Sequence, residues 1–339
     1  MRAKGIAYDT GFVSDGVNSS ERFDRDQVRR DLTVIRDDLH CNAVQIVGGD
    51  PERLEFAARA AAALGLEVWF SPYPLDLETG QVLVLLLDCA ERAERLRAAG
   101  ADVVFVAGVE LSLMNRGFVD GDRVDERLGR LLADPDGRAE RIAETRSRLD
   151  GFLRTAVAAI RQRFHGRLTY AAIPFEGVDW DLFDVVTLEL IRSAEVADRF
   201  RDGVRGITAQ PKPVAVTGFG AATWRGAGDV APRSMEIVEY DPVTRAPVRL
   251  NGRYERDETG QAAYLGELLD IFDDEGVDGA FVYLFALSGF PHRTDGDPRD
   301  DLDLASLGIV KVLDGPTGPP WEPKAAFATV AEHYSRPHE

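Results

Sequence analysis

Cysteine is scarce in this chain of 339 residues: Cys41 and Cys89 are the only two. One closes a helical run and the other lies inside a second, which argues against a disulfide framework. Long apolar runs are also missing. The longest aliphatic stretch, Val82 to Leu87, is too short to cross a bilayer. The chain passes from Met-Arg-Ala-Lys straight into Gly-Ile-Ala-Tyr, without the apolar core of a secretion signal, so the cytoplasm is the expected location. Basic residues are outnumbered 40 to 58, for a formal charge of −18. Nucleic acid and anionic membranes are therefore poor partners. His40 and His292 have no companion at ligand spacing, so zinc is not implied. The acidic run Asp295 to Asp303 lacks EF-hand spacing and reads as a solvated loop, so no metal site is expected. The turn Asp9-Thr10-Gly11-Phe12 is not the glycine-rich loop of a dinucleotide fold. No cofactor is expected, and a small organic molecule is the expected partner.

What is present is alternation. Apolar strand runs are expected at Lys4–Thr10, Asn42–Val47, Glu67–Tyr73, Asp102–Glu110, Arg167–Pro174, Asp184–Ile191, Pro213–Thr217 and Gly279–Leu287. Helical runs fall between them. Asp26–His40 carries apolar residues at Val28, Leu32, Ile35 and Leu39, and Pro51 opens the helix Glu52–Leu64. Further helices are expected at Val82–Ala99, Ala194–Val204, Gly260–Asp273 and Pro323–Tyr334. After the fourth strand the helical segment is enlarged: Val124–Leu132 and Ala139–Phe164 read as two helices broken at Asp134-Pro135-Asp136-Gly137. Eight strands alternating with helices, with no strong linker, predict an α/β protein with a single (β/α)8 TIM barrel spanning residues 1–339 as one domain.

Catalytic groups on such barrels stand at the C-terminal rim of the strands. The stretch Asp102-Val-Val-Phe-Val-Ala-Gly-Val-Glu110 is apolar until its end, where a carboxylate stands. Glu110 is therefore the leading candidate for catalysis, and an apolar neighbour such as Val109 favours its protonated form. Glu189 in the sixth strand, Glu176 after the fifth and Asp9 after the first are candidate second carboxylates; for Glu189 the competing structural role is a salt bridge to Arg192 or another rim cation. Asp9, Tyr8, Gln45, Tyr73, Gly218, Trp224, Tyr283 and Phe285 lie near strand ends and are candidate substrate-binding positions. The segment Gly218–Gly226, with Arg225, reads as a turn rather than a phosphate loop.

With the strands placed, the chain resembles the clan A superfamily of glycoside hydrolases. Gly108-Val109-Glu110 resembles the strand-four segment where that clan carries Asn-Glu, the Glu being the general acid. Thr217-Gly218-Phe219-Gly220 resembles the strand-seven segment that usually reads Thr-Glu-Phe-Gly, the Glu being the nucleophile. Val282–Ala286 resembles the aromatic strand eight, and Asp301–Gly308 followed by Trp321–Lys324 resembles the closing segment. Three positions depart from the pattern: Val109 replaces the Asn, Gly218 replaces the nucleophile, and Gln45 lies near where the clan tends to place an arginine.

A retaining glycosidase needs two carboxyl groups roughly 5–5.5 Å apart, and an inverting one roughly 6.5–9.5 Å. With no side chain at Gly218, the first expectation is a refitted enzyme that uses Glu110 as general acid. It would catalyse proton-initiated cyclisation, rearrangement or elimination of a small, largely apolar substrate. The alternatives are a glycoside hydrolase, inverting or with a displaced nucleophile, and an inert ligand-binding barrel.

Overall fold

The computed structural model describes the chain except residues 15–16, 21–22, 134, 243, 245, 314–319 and 337–339. Eight parallel strands close into a barrel: β1 (Ala3–Asp9), β2 (Ala43–Gly48), β3 (Glu67–Pro72), β4 (Val103–Val109), β5 (Arg167–Ala172), β6 (Val186–Glu189), β7 (Val214–Phe219) and β8 (Gly279–Val282). Each pairs with its sequence neighbours, and β1 pairs with both β2 and β8. This is the expected (β/α)8 barrel.

The first helices end where local chemistry dictates. In α1 (Arg25–Asp37) the Asp24 carboxylate caps the backbone N–H groups of Asp26 and Gln27, and in α2 (Pro51–Ala63) Asp50 does the same for Glu52 and Arg53. The apolar stripe Val28, Leu32, Ile35, Leu39 is buried against the barrel. Next come α3 (Thr79–Ala98) and then, between β4 and β5, α4 (Leu111–Met114), α5 (Val124–Leu132) and α6 (Arg138–Arg161). A 3-10 turn at Pro135–Gly137 lies between α5 and α6; Asp134, the first residue of the anticipated break, is outside the described residues. The ring is completed by α7 (Ala197–Thr208), α8 (Glu258–Asp274) and α9 (Ala325–Ser335).

Strand alternation sorts the core into two layers. Ala3, Ala43, Trp69, Val104, Val106, Ala171, Val185, Ala215 and Phe281 form one cluster, which fills the bore. Ile6, Val44, Ile46, Phe70, Phe105 and Val216 belong to the larger layer under the helices. At the lower mouth Glu67 accepts from Trp69 Nε1 (2.7 Å) and pairs with Arg2 and Arg167. Burial alone would raise the Glu67 pKa, but these hydrogen bonds and cations hold it below its ordinary value.

Two local expectations change. Strand eight stops at Val282 rather than Leu287, and the Tyr283–Leu284 peptide bond just beyond it is cis. The acidic run Asp295 to Asp303 is not wholly solvated: Asp303 is fully buried and pairs with Lys324 (2.9 Å) and Arg256 (2.8 Å). Asp301 pairs with Arg256 and His292. A buried carboxylate must find cations, which spacing alone does not reveal.

Candidate active site

At the C-terminal rim the chain must turn sharply after β4. Pairing between β4 and β5 slips between Val106 and Val109, a bulge that re-aims the strand end. Gly108 sits at φ +110, where a β-carbon would meet the Leu111 side chain at 2.8 Å, so only glycine fits. Glu110 itself is left-handed, with φ 45 and ψ 39, a conformation that for a non-glycine residue must be held by its surroundings. Three groups of bonds hold it. Glu110 N donates to Ala171 O (2.9 Å), and Leu113 N and Met114 N donate to Glu110 O (both 3.0 Å). The adjacent Leu111 N donates to the Tyr170 hydroxyl (2.8 Å).

This turn puts Glu110 into a cavity of about 180 Å³, lined also by Gln45, Val47, Tyr73, Val109, Glu189, Ile191, Gly218, Ala231, Pro232, Met235, Tyr283 and Leu307. The structure thus brings together Glu110, Glu189, Gln45, Tyr73, Gly218 and Tyr283. No hydrogen bond or ion pair from a described residue reaches the Glu110 carboxyl. Burial, then the charges of Glu189 and Glu176, push its pKa well above the ordinary value.

The space beside Gly218 is not empty. A β-carbon built there would lie 1.2 Å from Glu189 Oε2 and 2.4 Å from its Cδ. The strand-six carboxylate therefore stands where a strand-seven side chain would begin. Gly218 is also at φ +70, and β7 slips register against β8 over this stretch, so the local backbone is turned for the exchange. Glu189 pairs with Thr217 in the ladder and accepts a 2.5 Å hydrogen bond from its hydroxyl. Burial raises Glu189 to about 7, against the lowering pull of that bond. Arg192, the partner considered for a purely structural Glu189, instead binds Glu267 (2.8 Å).

Other candidates fall elsewhere. Glu176, on the 3-10 turn Pro174–Glu176, is 1% exposed and stands outside the cavity lining. Its Oε1 accepts from Tyr170 (2.9 Å) and Ser112 N (3.1 Å), and its Oε2 from Ile173 N (3.1 Å). Burial, offset in part by these donors, leaves it at about 7. Asp9 ends β1 outside the cavity wall, with Oδ1 accepting from Gly11 N (2.6 Å). Burial raises it to about 6, against the opposing pull of Gly11 and Arg53.

Tyr8 and Phe285 are not at the cavity. Both belong to the layer under the helices, where Tyr8 donates to Asp31 (2.9 Å) and Phe285 meets Trp321 edge-on. Strand alternation sends Tyr8 outward, the side opposite to Ala7 and Asp9. Trp224 packs on Tyr254, donates to Ser234 O, and lines a separate crevice. Arg225 is spent on Glu255 (2.7 Å).

Sequence reasoning did not single out Tyr170 or the cavity-lining group Ala231, Pro232 and Met235. Tyr170 reads only as one more apolar strand residue, and the loop residues reach the cavity through a connection with no periodic signal.

No protein-family model and no curated protein sequence matches the chain. Solved structures do. A GH113 beta-1,4-mannanase in a complex superposes over 99% of this chain and 100% of its own, with TM-score 0.61 and 15% identity. The GH113 beta-mannanase AaManA from Alicyclobacillus acidocaldarius covers 98% and 97% respectively, at TM-score 0.57 and 14% identity. A beta-glucuronidase from Ruminococcus gnavus covers 98% of this chain with 49% of its own, at TM-score 0.55 and 15% identity. At such identities the likeness is one of fold: the chain shares the (β/α)8 barrel of these three enzymes.

Proposed function

We propose that this protein is a glycoside hydrolase whose nucleophile has moved from strand seven to strand six. The observation that carries the reading is Glu189 Oε2 lying 1.2 Å from the site of a Gly218 β-carbon. Two titratable carboxyls in one cavity with unlike surroundings support a division of labour. Glu110, with no hydrogen bond to its carboxyl and the stronger upward push, is the acid; Glu189, held lower by the Thr217 hydroxyl, is the nucleophile. Glu110 gives its proton to the glycosidic oxygen as the C1–O bond breaks and Glu189 bonds to C1. Water, losing a proton to Glu110, then attacks C1 and frees Glu189.

The wall supports a neutral sugar. Its residues include the protonated acid Glu110, the nucleophilic carboxylate of Glu189 and no Lys, Arg or His, so a uronate would meet the like charge of Glu189 without a counter-ion. In this respect the cavity suits a substrate like that of the mannanases better than that of the glucuronidase. The small volume and the apolar Val47, Ile191, Met235 and Leu307 suit one ring with an apolar leaving group. Cyclisation initiated by Glu110 required an acid facing a vacant wall, and Glu189 removes that premise.

The test is hydrolysis of nitrophenyl β-glycosides, with the β-mannoside expected to be turned over and the β-glucuronide not. Activity should vanish in Glu110→Gln and Glu189→Gln. In Glu189→Ala, added azide should yield a glycosyl azide of inverted configuration. Turnover that survives in Glu189→Ala without azide would refute the assignment, and binding without turnover would favour an inert barrel.

A further inference from the structure

Behind the cavity wall lies a carboxylate that the reaction scheme leaves unused. Glu176 is as deeply buried as a core leucine, and three donors converge on it, from Tyr170, Ser112 and Ile173. A carboxylate is an expensive way to satisfy three donors when a backbone carbonyl or an amide oxygen accepts as well. Its location gives the reason. Tyr170 donates to Glu176 and accepts from Leu111 N, the peptide immediately after Glu110, while Ser112 N binds Glu176 directly. The first two peptides of the turn that follows Glu110 are therefore both tied to this one side chain.

We propose that Glu176 is a positioning residue for Glu110: with Tyr170 as relay it locks the left-handed turn that aims the acid, and it sets a buried negative charge behind it. The inference rests on the hydrolase reading above for its kinetic consequences and on geometry alone for the lock. The charge acts on both cavity carboxyls, raising Glu110 and Glu189. The titratable groups within reach of the Glu176 charge are Tyr170 from β5, Glu110 beyond β4, Glu189 from β6 and Tyr73 beyond β3. Arg146 from α6 is bound to the neighbouring residue's backbone, its Nε donating to the Phe175 carbonyl (2.7 Å). Ionised Glu176 disfavours a second negative charge on Glu110, so the acid keeps its proton to higher pH. Because Glu176 titrates near 7, this reinforcement grows through neutrality, where a general acid would otherwise begin to lose its proton.

Two variants separate the lock from the charge. Tyr170→Phe removes the relay and keeps the carboxylate; Glu176→Gln removes the charge and keeps one acceptor oxygen. In Glu176→Gln the alkaline limb of the kcat/KM profile should move to lower pH by about one unit, as expected for loss of a nearby like charge. In Tyr170→Phe kcat should fall about tenfold or more with the limb unmoved, the signature of a mis-aimed acid. Glu176→Asp should restore the limb. Carbon-13 NMR of carboxyl-labelled glutamate, with Glu110→Gln for assignment, reads the Glu110 titration without any substrate. A Glu110 titration identical in the parent protein and in Glu176→Gln would overturn the proposal, whether or not glycosides are cleaved. A protein that cleaves no glycoside, but whose Glu110 resonance shifts as stated, would refute the hydrolase reading and leave Glu176 in its role.

Discussion

Replacing Gly218 by alanine puts a methyl group where the Glu189 carboxylate now sits. The ideal β-carbon falls 1.2 Å from Oε2, so one of the two must leave. An alanine at φ +70 costs about 1–2 kcal/mol in a left-handed backbone. Expelling the carboxylate breaks its bond from Thr217 Oγ1, a charge-assisted hydrogen bond worth about 1.5–3 kcal/mol. The expelled group regains some hydration, so a net loss of about 2–4 kcal/mol is expected. Urea unfolding of Gly218→Ala, Glu189→Ala and the double variant measures this. In the Glu189→Ala background the same glycine change should cost only the backbone part, about 1–2 kcal/mol. The single variant should also lose at least about a hundredfold in kcat/KM, since about 2.7 kcal/mol corresponds to that factor. Additive losses in the double variant would show that the two side chains do not compete for one place. The steric basis of the displaced nucleophile would then be gone.

Three further outcomes follow from the same electrostatics. Burial lifts the Glu189 carboxyl from 4.5 to about 7; a raised acid loses stability for the folded state as pH climbs through the folded value. Glu189→Gln should therefore melt higher than the parent at pH 8, by about 1–3 kcal/mol, and the gap should close near pH 4; a destabilised glutamine variant at pH 8 would contradict this. Glu67 is the opposite case, held below 4.5 by Arg2 and Arg167. Its contribution is present above the unfolded pKa and lost as pH falls through the lower folded one, so the stability deficit of Glu67→Gln at pH 7 should shrink in acid, as urea titrations would show. Lys324→Met leaves the fully buried Asp303 with Arg256 as its remaining cation. A loss of about 3 kcal/mol is expected on urea unfolding, and a loss under about 1 kcal/mol would mean that Arg256 suffices.

The architecture was legible in the chain itself. Fully buried parallel strands must be continuous apolar runs, and helices resting on them must carry a stripe such as Val28, Leu32, Ile35, Leu39; both periods are written locally. Gly108 before Glu110 was equally visible as a strand end with a carboxylate. Which carboxylate faces Glu110 was not. Gly218 alone reads as a deletion, because a sequence records that a side chain is missing but not what fills the space. That answer belongs to Glu189, 29 residues earlier in the chain, and it arises from the ladder register that sets β6 beside β7. Tyr8 and Phe285 were aromatic and near strand ends, but a one-residue phase decides between bore and helix layer. The buried pairing of Asp303 with Lys324 and Arg256 likewise joins distant segments. Local chemistry determined the strands, the helices and the acid at the rim; only closure of the barrel decided which charges share a cavity, because Coulomb forces and exclusion act through space and not along the chain.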